Sequence, residues 1–219
     1  MTAALPPAPQ PELWLPIGGT GLQRRIAGAA IELFYSQGAT ATSVREITAA
    51  CGLTPGALYN HFSSKEQLLY VLVRDIHVLA DEGLEEAISA AEPQPRVQLA
   101  AAARFLVGRA AGPRKPSHVA NREYTRLPRP ARDEIVAIRR RMRARFADIL
   151  LSGAQADVFS LPGSQDMAAA VLTATAIATL CGNISEWTRE NYPISLSDLQ
   201  DRYVEMALRL AGAAPPPAG

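Results

Sequence analysis

The densest group of reactive side chains in this sequence is a run of five arginines near its middle. Guanidinium groups donate paired hydrogen bonds that suit phosphates and carboxylates. Three interpretations stay open: a solvated helix face, a contact with nucleic acid, or a receptor for an anionic ligand. The nucleic-acid interpretation is the weakest, since the run lies well outside the helix-turn-helix segment described below. The run comprises Arg139, Arg140, Arg141, Arg143 and Arg145.

Catalytic and metal-binding chemistry has little support in the sequence. The three histidines, His61, His77 and His118, are scattered and lack the spacing of metal ligands. No glycine-rich phosphate loop follows a strand, and no nucleophile motif is visible. We therefore predict a protein that is not an enzyme and that needs neither a metal nor a cofactor.

The most informative segment reads SVREITAACGLTPGALYNHFSSK and begins at Ser43. Ser43 with Glu46 predicts a capping box at the start of one helix. Gly52 supplies a backbone conformation that is costly for other residues. Thr54 followed by Pro55 then predicts the start of another helix, whose free N–H groups can face a phosphate. Two short helices joined by a tight glycine turn predict a helix-turn-helix.

Helical periodicity continues along the rest of the chain, and no useful length shows strand alternation. We predict an all-α fold, with an N-terminal three-helix helix-turn-helix domain and a larger helical domain. Ile47 and Leu58 are expected to pack the motif helices together, with Leu53 buried in the turn. The predicted helices are 20–38 with Thr20 as its cap, 43–50, 54–62, 63–90 with a Ser63–Glu66 capping box, 97–111, 117–126, 131–152, 164–188, and a last one capped by Ser195 with Asp198.

Features of cellular location are few but consistent. Cys51 and Cys181 lie far apart in apolar surroundings, which predicts buried free thiols. The N-terminus shows no basic start followed by an apolar run, so no signal peptide is predicted. The apolar stretch from Met167 to Cys181 is shorter than the roughly 20 residues that span a bilayer. We read it as a buried helix in a cytoplasmic protein without a membrane partner.

The stretch from Leu22 to Leu69 resembles the DNA-binding domain of the TetR family of bacterial repressors. Three positions depart from the usual pattern: Ala39 replaces an aromatic residue, while Thr48 and Cys51 replace alanines. These are small changes that the same fold accommodates. The resemblance is carried by Ile26, Ala30, Phe34, Gly38, Thr42, Ser43, Val44, Ile47, Gly52, Leu53, Gly56, Leu58, Tyr59, His61, Phe62, Ser64, Lys65, Glu66, Leu68 and Leu69.

The resemblance implies roles in binding operator DNA. Residues at the start of the third helix would face base edges in the major groove. Others would hold phosphates and set the register without reading sequence. The charge of residues 20–66 is only weak support, with four basic residues against three acidic ones. Base-facing candidates are Thr54, Pro55, Gly56, Ala57 and Asn60; phosphate candidates are Ser43, Tyr59, His61 and Lys65; Arg45 is a candidate for the groove edge.

The resemblance also implies a homodimer formed through the last two helices and a ligand cavity between the long helices. The segment 184–211, with Trp187 and Pro193 in a W…P-[IL]-[ST] arrangement, is similar to members that control fatty-acid and steroid catabolism and respond to acyl-CoA thioesters. Another small hydrophobic or aromatic effector is the alternative. Candidate ligand-lining residues, each of which plain packing would also explain, are Phe105, Asn121, Tyr124, Ile138, Met142, Thr175, Thr179 and Trp187.

From these features we expect a flexible arm over residues 1–19, a DNA-binding domain over 20–66, a ligand-binding and dimerisation domain over 67–212, and a flexible tail over 213–219. The resemblance implies a repressor that leaves a palindromic operator when a small-molecule inducer binds. Activation instead of repression stays open, and so does a helical interaction module without a DNA partner. That last alternative would leave the pattern from Thr54 to Lys65 unexplained.

Overall fold

The computed structural model describes residues 21–112, 114–189 and 192–214, and within them every regular element is helical. Thr20, proposed as the first cap, and most of the proposed arm and tail lie outside the described residues. The helices are α1 Gly21–Gln37, α2 Val44–Ala50, α3 Pro55–Tyr59, α4 Lys65–Ser89, α5 Pro95–Ala111, α6 Arg114–Glu123, α7 Arg129–Gln155, α8 Met167–Gly182, α9 Ile184–Trp187 and α10 Leu196–Leu210, with a 3-10 turn at Tyr124–Arg126 after α6.

The helix-turn-helix forms as its local signals predict. The backbone N–H of Glu46 donates to the Ser43 hydroxyl at 3.2 Å, and that of Ser43 donates to the Glu46 carboxylate at 2.7 Å. Gly38 and Gly52 take positive φ angles of 81° and 64°, which favour glycine. Leu53, predicted to be buried, is only half-buried because it lies at the edge of the turn.

The predicted cap of the long fourth helix is wrong by one residue. The Ser64 hydroxyl, and not that of Ser63, accepts a hydrogen bond from the backbone N–H of Gln67 at 3.1 Å. The Ser63 N–H instead donates to the Gln67 side chain. Two consecutive serines, followed by two residues suited to the third helical position, offer equivalent local signals. The choice depends on the path of the chain after Phe62 is buried.

Prolines explain why several helices of the second half begin earlier than predicted. α5 starts at Pro95, α6 has Pro116 in its first turn, and α7 has Pro130 at its second position. A first-turn N–H has no partner within the helix, so proline is tolerated there. The predicted loop at 112–116 is correspondingly short.

The buried residues form two clusters that α4 and α7 both join. The first contains the helix-turn-helix, and Ile26, Ile47 and Leu58 are fully buried in it. Ile135 and Ile138 at the start of α7 belong to this same cluster. The second lies between α5, α8, α10 and the end of α7. The helices of the helix-turn-helix are therefore packed directly on the larger helical part of the chain and are not tethered to it by a linker.

The apolar stretch from Met167 to Trp187 is only partly buried, which corrects the prediction of a buried helix. Among the described residues it is the helical stretch that is long and apolar enough, by length and composition alone, to span a membrane. It is divided at Asn183 into α8 and α9. Cys181 on its inner side is buried, as is Cys51 elsewhere, and both are free thiols.

Candidate nucleic-acid interface and ligand cavity

Helix α3 presents most of the predicted base-facing residues to solvent. Leu58 is fully buried beneath it and fixes its outer face. Thr54 occupies the N-cap position without a side-chain capping bond, so its hydroxyl is available to a partner. The side chain of Tyr59 is 53% exposed. Pro55, Gly56 and Asn60 are also exposed, whereas Ala57 is half-buried.

The predicted phosphate-binding residues divide by how strongly the protein itself engages them. Arg45 is exposed, and His61 is half-buried. Ser43 is exposed, and its hydroxyl, which accepts the capping bond described above, still has its proton to donate to a phosphate. Lys65 is the most engaged, because Nζ donates to the carbonyl oxygens of Ala39 and Thr42, each at 2.7 Å. Lys65 therefore clamps the turn between α1 and α2.

Three polar contacts that sequence reasoning missed join α6 to α1, α4 to α7, and α1 to the end of α2. The Lys115 ammonium lies 2.7 Å from Glu32 on α1. The Tyr70 hydroxyl on α4 donates to Glu134 on α7 at 2.5 Å. Arg25 donates to the carbonyl oxygen of Cys51 at 2.7 Å. Each contact joins residues at least 26 positions apart, so no local spacing could have indicated it.

A cavity of about 330 Å³ lies between α4, α5, α6, α7 and α8. Four of the eight predicted ligand residues line it: Asn121, Tyr124, Met142 and Thr179. The predicted lining residues did not include His77 or Arg109, whereas the arginine run, one interpretation of which was a receptor for an anionic ligand, contributes Arg139 and Arg143. Helical periodicity marks an inward face but does not say which inward side chains border an opening.

The other four predicted ligand residues do not line this cavity. The Phe105 ring packs on Gly83, where a Cβ would lie 2.5 Å from it. Ile138 is buried in the first cluster. The exposed Thr175 bonds back to its own helix. Trp187 lies against Tyr192 and Tyr203, at ring distances of 5.1 and 6.5 Å.

One hydrogen-bonded chain crosses the cavity from α7 to α4. Arg139 donates from Nη1 to Oδ1 of Asn121 at 3.1 Å and contacts Nε2 of His77 at 3.2 Å. Nδ1 of His77 lies 2.7 Å from the carbonyl oxygen of Val73, so Nδ1 carries the proton and Nε2 accepts from Arg139. Burial lowers the pKa of His77 to about 3, which keeps the imidazole neutral.

The five arginines of the run lie in three different surroundings. Arg140 is exposed to solvent. Arg141 and Arg145 both reach Asp81 on α4, at 2.9 and 2.5 Å. Arg139 and Arg143 line the cavity. Helix geometry accounts for this division, because neighbouring positions point about 100° apart.

Among the described residues, no group of three or more histidine, cysteine or acidic side chains could hold a metal ion.

Two family models match the chain. One is described as "Bacterial regulatory proteins, tetR family" and matches residues 26–71. The other is described as "Tetracyclin repressor-like, C-terminal domain" and matches residues 92–211, more than half of the chain. The chain belongs to the TetR family.

Individual TetR-family proteins agree with this membership. A crystal structure of a tetR-family regulatory protein from Rhodococcus RHA1 is 31% identical, covers 90% of this chain and 100% of that one, and has a TM-score of 0.77. The repressor KstR2 of Rhodococcus jostii is 39% identical over 57 residues, which are 26% of this chain and 28% of that protein. The alignment thus spans less than a third of this curated relative. The structure of AibR in complex with isovaleryl coenzyme A and operator DNA shares the fold, with 21% identity over 88% of this chain and all of that one, and a TM-score of 0.75.

In this TetR-family chain, α8 and α10 share an unusual feature, a set of exposed apolar side chains. On α8, Leu172 is 71% exposed and Val171 is 45% exposed. On α10, Met206 and Leu210 are 40% and 38% exposed. The opposite faces of both helices lie in the second buried cluster. We call the four residues Val171, Leu172, Met206 and Leu210 the apolar face.

Proposed function

We propose that this chain is a dimeric transcriptional repressor in the cytoplasm that a small molecule releases from operator DNA. One observation carries the proposal: α4 serves both functional regions. Its first turns, with Leu68 and Leu72, pack in the cluster that holds the helix-turn-helix. Further along, Ile76, His77 and Ala80 line the cavity. A displacement at the cavity therefore has a rigid route to the reading helices.

For the DNA contact, α3 would enter the major groove. Thr54 and Asn60 are the side chains on its exposed surface that could hydrogen-bond base edges, while Pro55 and Ala57 would contact thymine methyl groups. Tyr59, together with Ser43, Arg45 and His61, would hold phosphates. Since Lys65 is engaged by two carbonyl groups, we assign it mainly to positioning α1 and α2.

The apolar face supports dimerisation through α8 and α10. Exposed large apolar side chains on two helices that contact each other are typical of an interface between proteins. A two-fold dimer places two copies of α3 on one side, and such dimers read palindromic half-sites about one turn of DNA apart. The second buried cluster behind the face would keep the two helices rigid.

The cavity supports control by an effector. Its volume of about 330 Å³ lies in the range of small-molecule sites. AibR, which shares the fold, is described in complex with isovaleryl coenzyme A, and this makes acyl-CoA thioesters one effector class to test. Other small hydrophobic or aromatic compounds are the alternative class. Effector-dependent activation is the alternative direction of control.

The route from cavity to DNA would run through the bond between Arg139 and His77. A ligand that competes for Arg139 removes one of the hydrogen bonds between α7 and α4, the one at His77. α4 can then shift relative to α7 and change the spacing of the two recognition helices. Such control requires that the ligand bind the released state more tightly than the DNA-bound state.

Fluorescence anisotropy with a labelled duplex from upstream of the chain's own coding sequence tests the proposal. We expect binding by a dimer, with an affinity that falls steeply as salt rises. A scrambled duplex should bind at least a thousandfold more weakly. Equal binding to both duplexes would exclude an operator-specific repressor. An effector that saturates the cavity without changing operator affinity would exclude the proposed control.

A further inference from the structure

The cavity carries an unbalanced set of charges. Arg139 and Arg143 of α7 line it, and none of the described residues that line it is an aspartate or a glutamate. Both arginines are half-buried. Buried cations are normally accompanied by an anion, because removing a charge from water is costly. An anion supplied from outside the chain would restore this balance.

Arg139 and Arg143 are the arginines best placed to receive it. They lie one turn apart on α7, so their guanidinium groups project from the same side. The described partners of Arg139 are all neutral: Asn121, His77 and the ring of Tyr124, whose centroid lies 4.9 Å from the guanidinium carbon. Arg143 is half-buried and makes no hydrogen bond or ion pair with a described residue.

The neighbouring arginines of α7 provide an internal contrast. Arg141 and Arg145 are paired with the carboxylate of Asp81, and Arg145 also reaches Glu85 at 2.5 Å. The interface between α4 and α7 thus neutralises the arginines that point away from the cavity. The described residues that line the cavity provide no such carboxylate to Arg139 and Arg143.

Another part of the cavity wall is apolar. It is formed by Ile76, Leu106, Met142, Phe146 and Ala178. A ligand that matches both parts has an apolar body and one anionic group. We propose that the cavity binds a small organic acid, whose carboxylate is received by Arg139 and Arg143. This proposal rests on the proposed function, because it treats the cavity as the effector site.

Size decides between a free acid and a coenzyme A thioester. A thioester carries a nucleotide, a diphosphate and a long pantetheine arm, so only its acyl end fits a cavity of about 330 Å³. Its phosphates would stay outside while the arginines surrounded a neutral acyl group. A free carboxylate places the negative charge beside the guanidinium groups, where paired hydrogen bonds form.

Isothermal titration of the full chain with octanoate and 1-naphthoate, each compared with its primary amide, tests the proposal. The amides match the acids in shape but carry no charge. We expect at least one acid to bind roughly ten- to a hundredfold more tightly than its amide, the range of a charge-assisted hydrogen bond. Equal affinities would overturn the proposal. So would tight binding of octanoyl-CoA with no binding of either acid at millimolar concentration.

Three variants locate the anion. Arg143→Gln should weaken binding of the acid roughly tenfold and leave that of the amide unchanged. Arg139→Gln should do the same and tests the second receptor. Arg140→Gln, an exposed position on the same helix, is the matched control and should bind like the parent. If neither cavity variant discriminates acid from amide differently from the control, the assignment fails.

Operator binding without any acid separates this proposal from the proposed function. A chain that binds the acids but not the operator duplex would remove the repressor assignment and leave the ligand chemistry standing. A chain that binds the duplex but distinguishes no acid from its amide would do the reverse. Both measurements use the same preparation of the full chain.

Discussion

Nζ of Lys65 lies 2.7 Å from the carbonyl oxygen of Ala39 and holds the first turn of α4 against the turn that follows α1. A second bond of the same length reaches Thr42. Lys65 thus fixes the position of α2, which carries Ser43 at its cap. Lys65, although it is charged and close to the expected DNA surface, therefore stabilises the arrangement of α1, α2 and α4.

Replacing Lys65 with methionine separates this task from phosphate binding. Methionine keeps an apolar stem and removes the ammonium group, so the free energy of unfolding should fall by about 2 kcal/mol. Urea denaturation measures that loss. The slope of log affinity against log salt should stay unchanged, because no counterion-releasing contact is lost. A slope reduced by about one, with unaltered stability, would instead make Lys65 a phosphate ligand.

Tyr59→Phe tests the exposed ring of α3. Its side chain is 53% exposed, so removing the hydroxyl should leave the free energy of unfolding unchanged. If that hydroxyl donates to a phosphate, affinity should fall roughly tenfold for operator and non-specific duplexes alike. Anisotropy titrations with both duplexes provide the measurement. A loss confined to the operator would show base reading by Tyr59 instead.

Leu172→Glu tests the apolar face. Leu172 is 71% exposed on α8, so a charge there is harmless in a monomer but would be desolvated in a dimer. We expect monomers by light scattering and loss of operator binding, with unchanged helix content by circular dichroism. Ala137→Glu, at an exposed position on α7, is the control and should remain dimeric. A dimeric Leu172→Glu variant would place the interface elsewhere.

His77 should make stability depend on pH. Its folded pKa is lowered to about 3 from 6.5, so as pH falls the unfolded chain takes up the proton first. The contribution is complete above about pH 6.5 and declines down to about pH 3. Unfolding at about pH 5 should therefore cost about 2 kcal/mol less than at neutral pH.

Denaturant titrations of the parent and of His77→Gln at both pH values isolate this effect. Other titrating groups contribute equally to both proteins, so the difference in pH dependence reports His77 alone. We expect the variant to lose most of the decline between neutral and acidic pH. Parallel stability profiles for the two proteins would show that His77 takes up its proton equally in the folded and unfolded states.

Much of the structure of the N-terminal half could be predicted from the spacing of residues close together in the sequence. The Ser43–Glu46 capping box, the glycine turns at Gly38 and Gly52, and the proline start of α3 form as predicted. All are interactions between residues at most four positions apart, or conformations of one residue. The helix-turn-helix pattern likewise placed Ile47 and Leu58 between the motif helices. Such signals reside in short segments and need no knowledge of the rest of the chain.

The roles of individual charged residues could not be read in this way. Five arginines in seven positions look equivalent in sequence, yet one is solvated, two pair with Asp81 and two face the cavity. The lysine expected at a phosphate holds two carbonyl groups 23 and 26 residues away. These outcomes depend on the rotation and register of the packed helices, because these determine which partner the charged group of each side chain reaches. Contacts between residues distant in sequence are properties of that packing, and no local pattern encodes them.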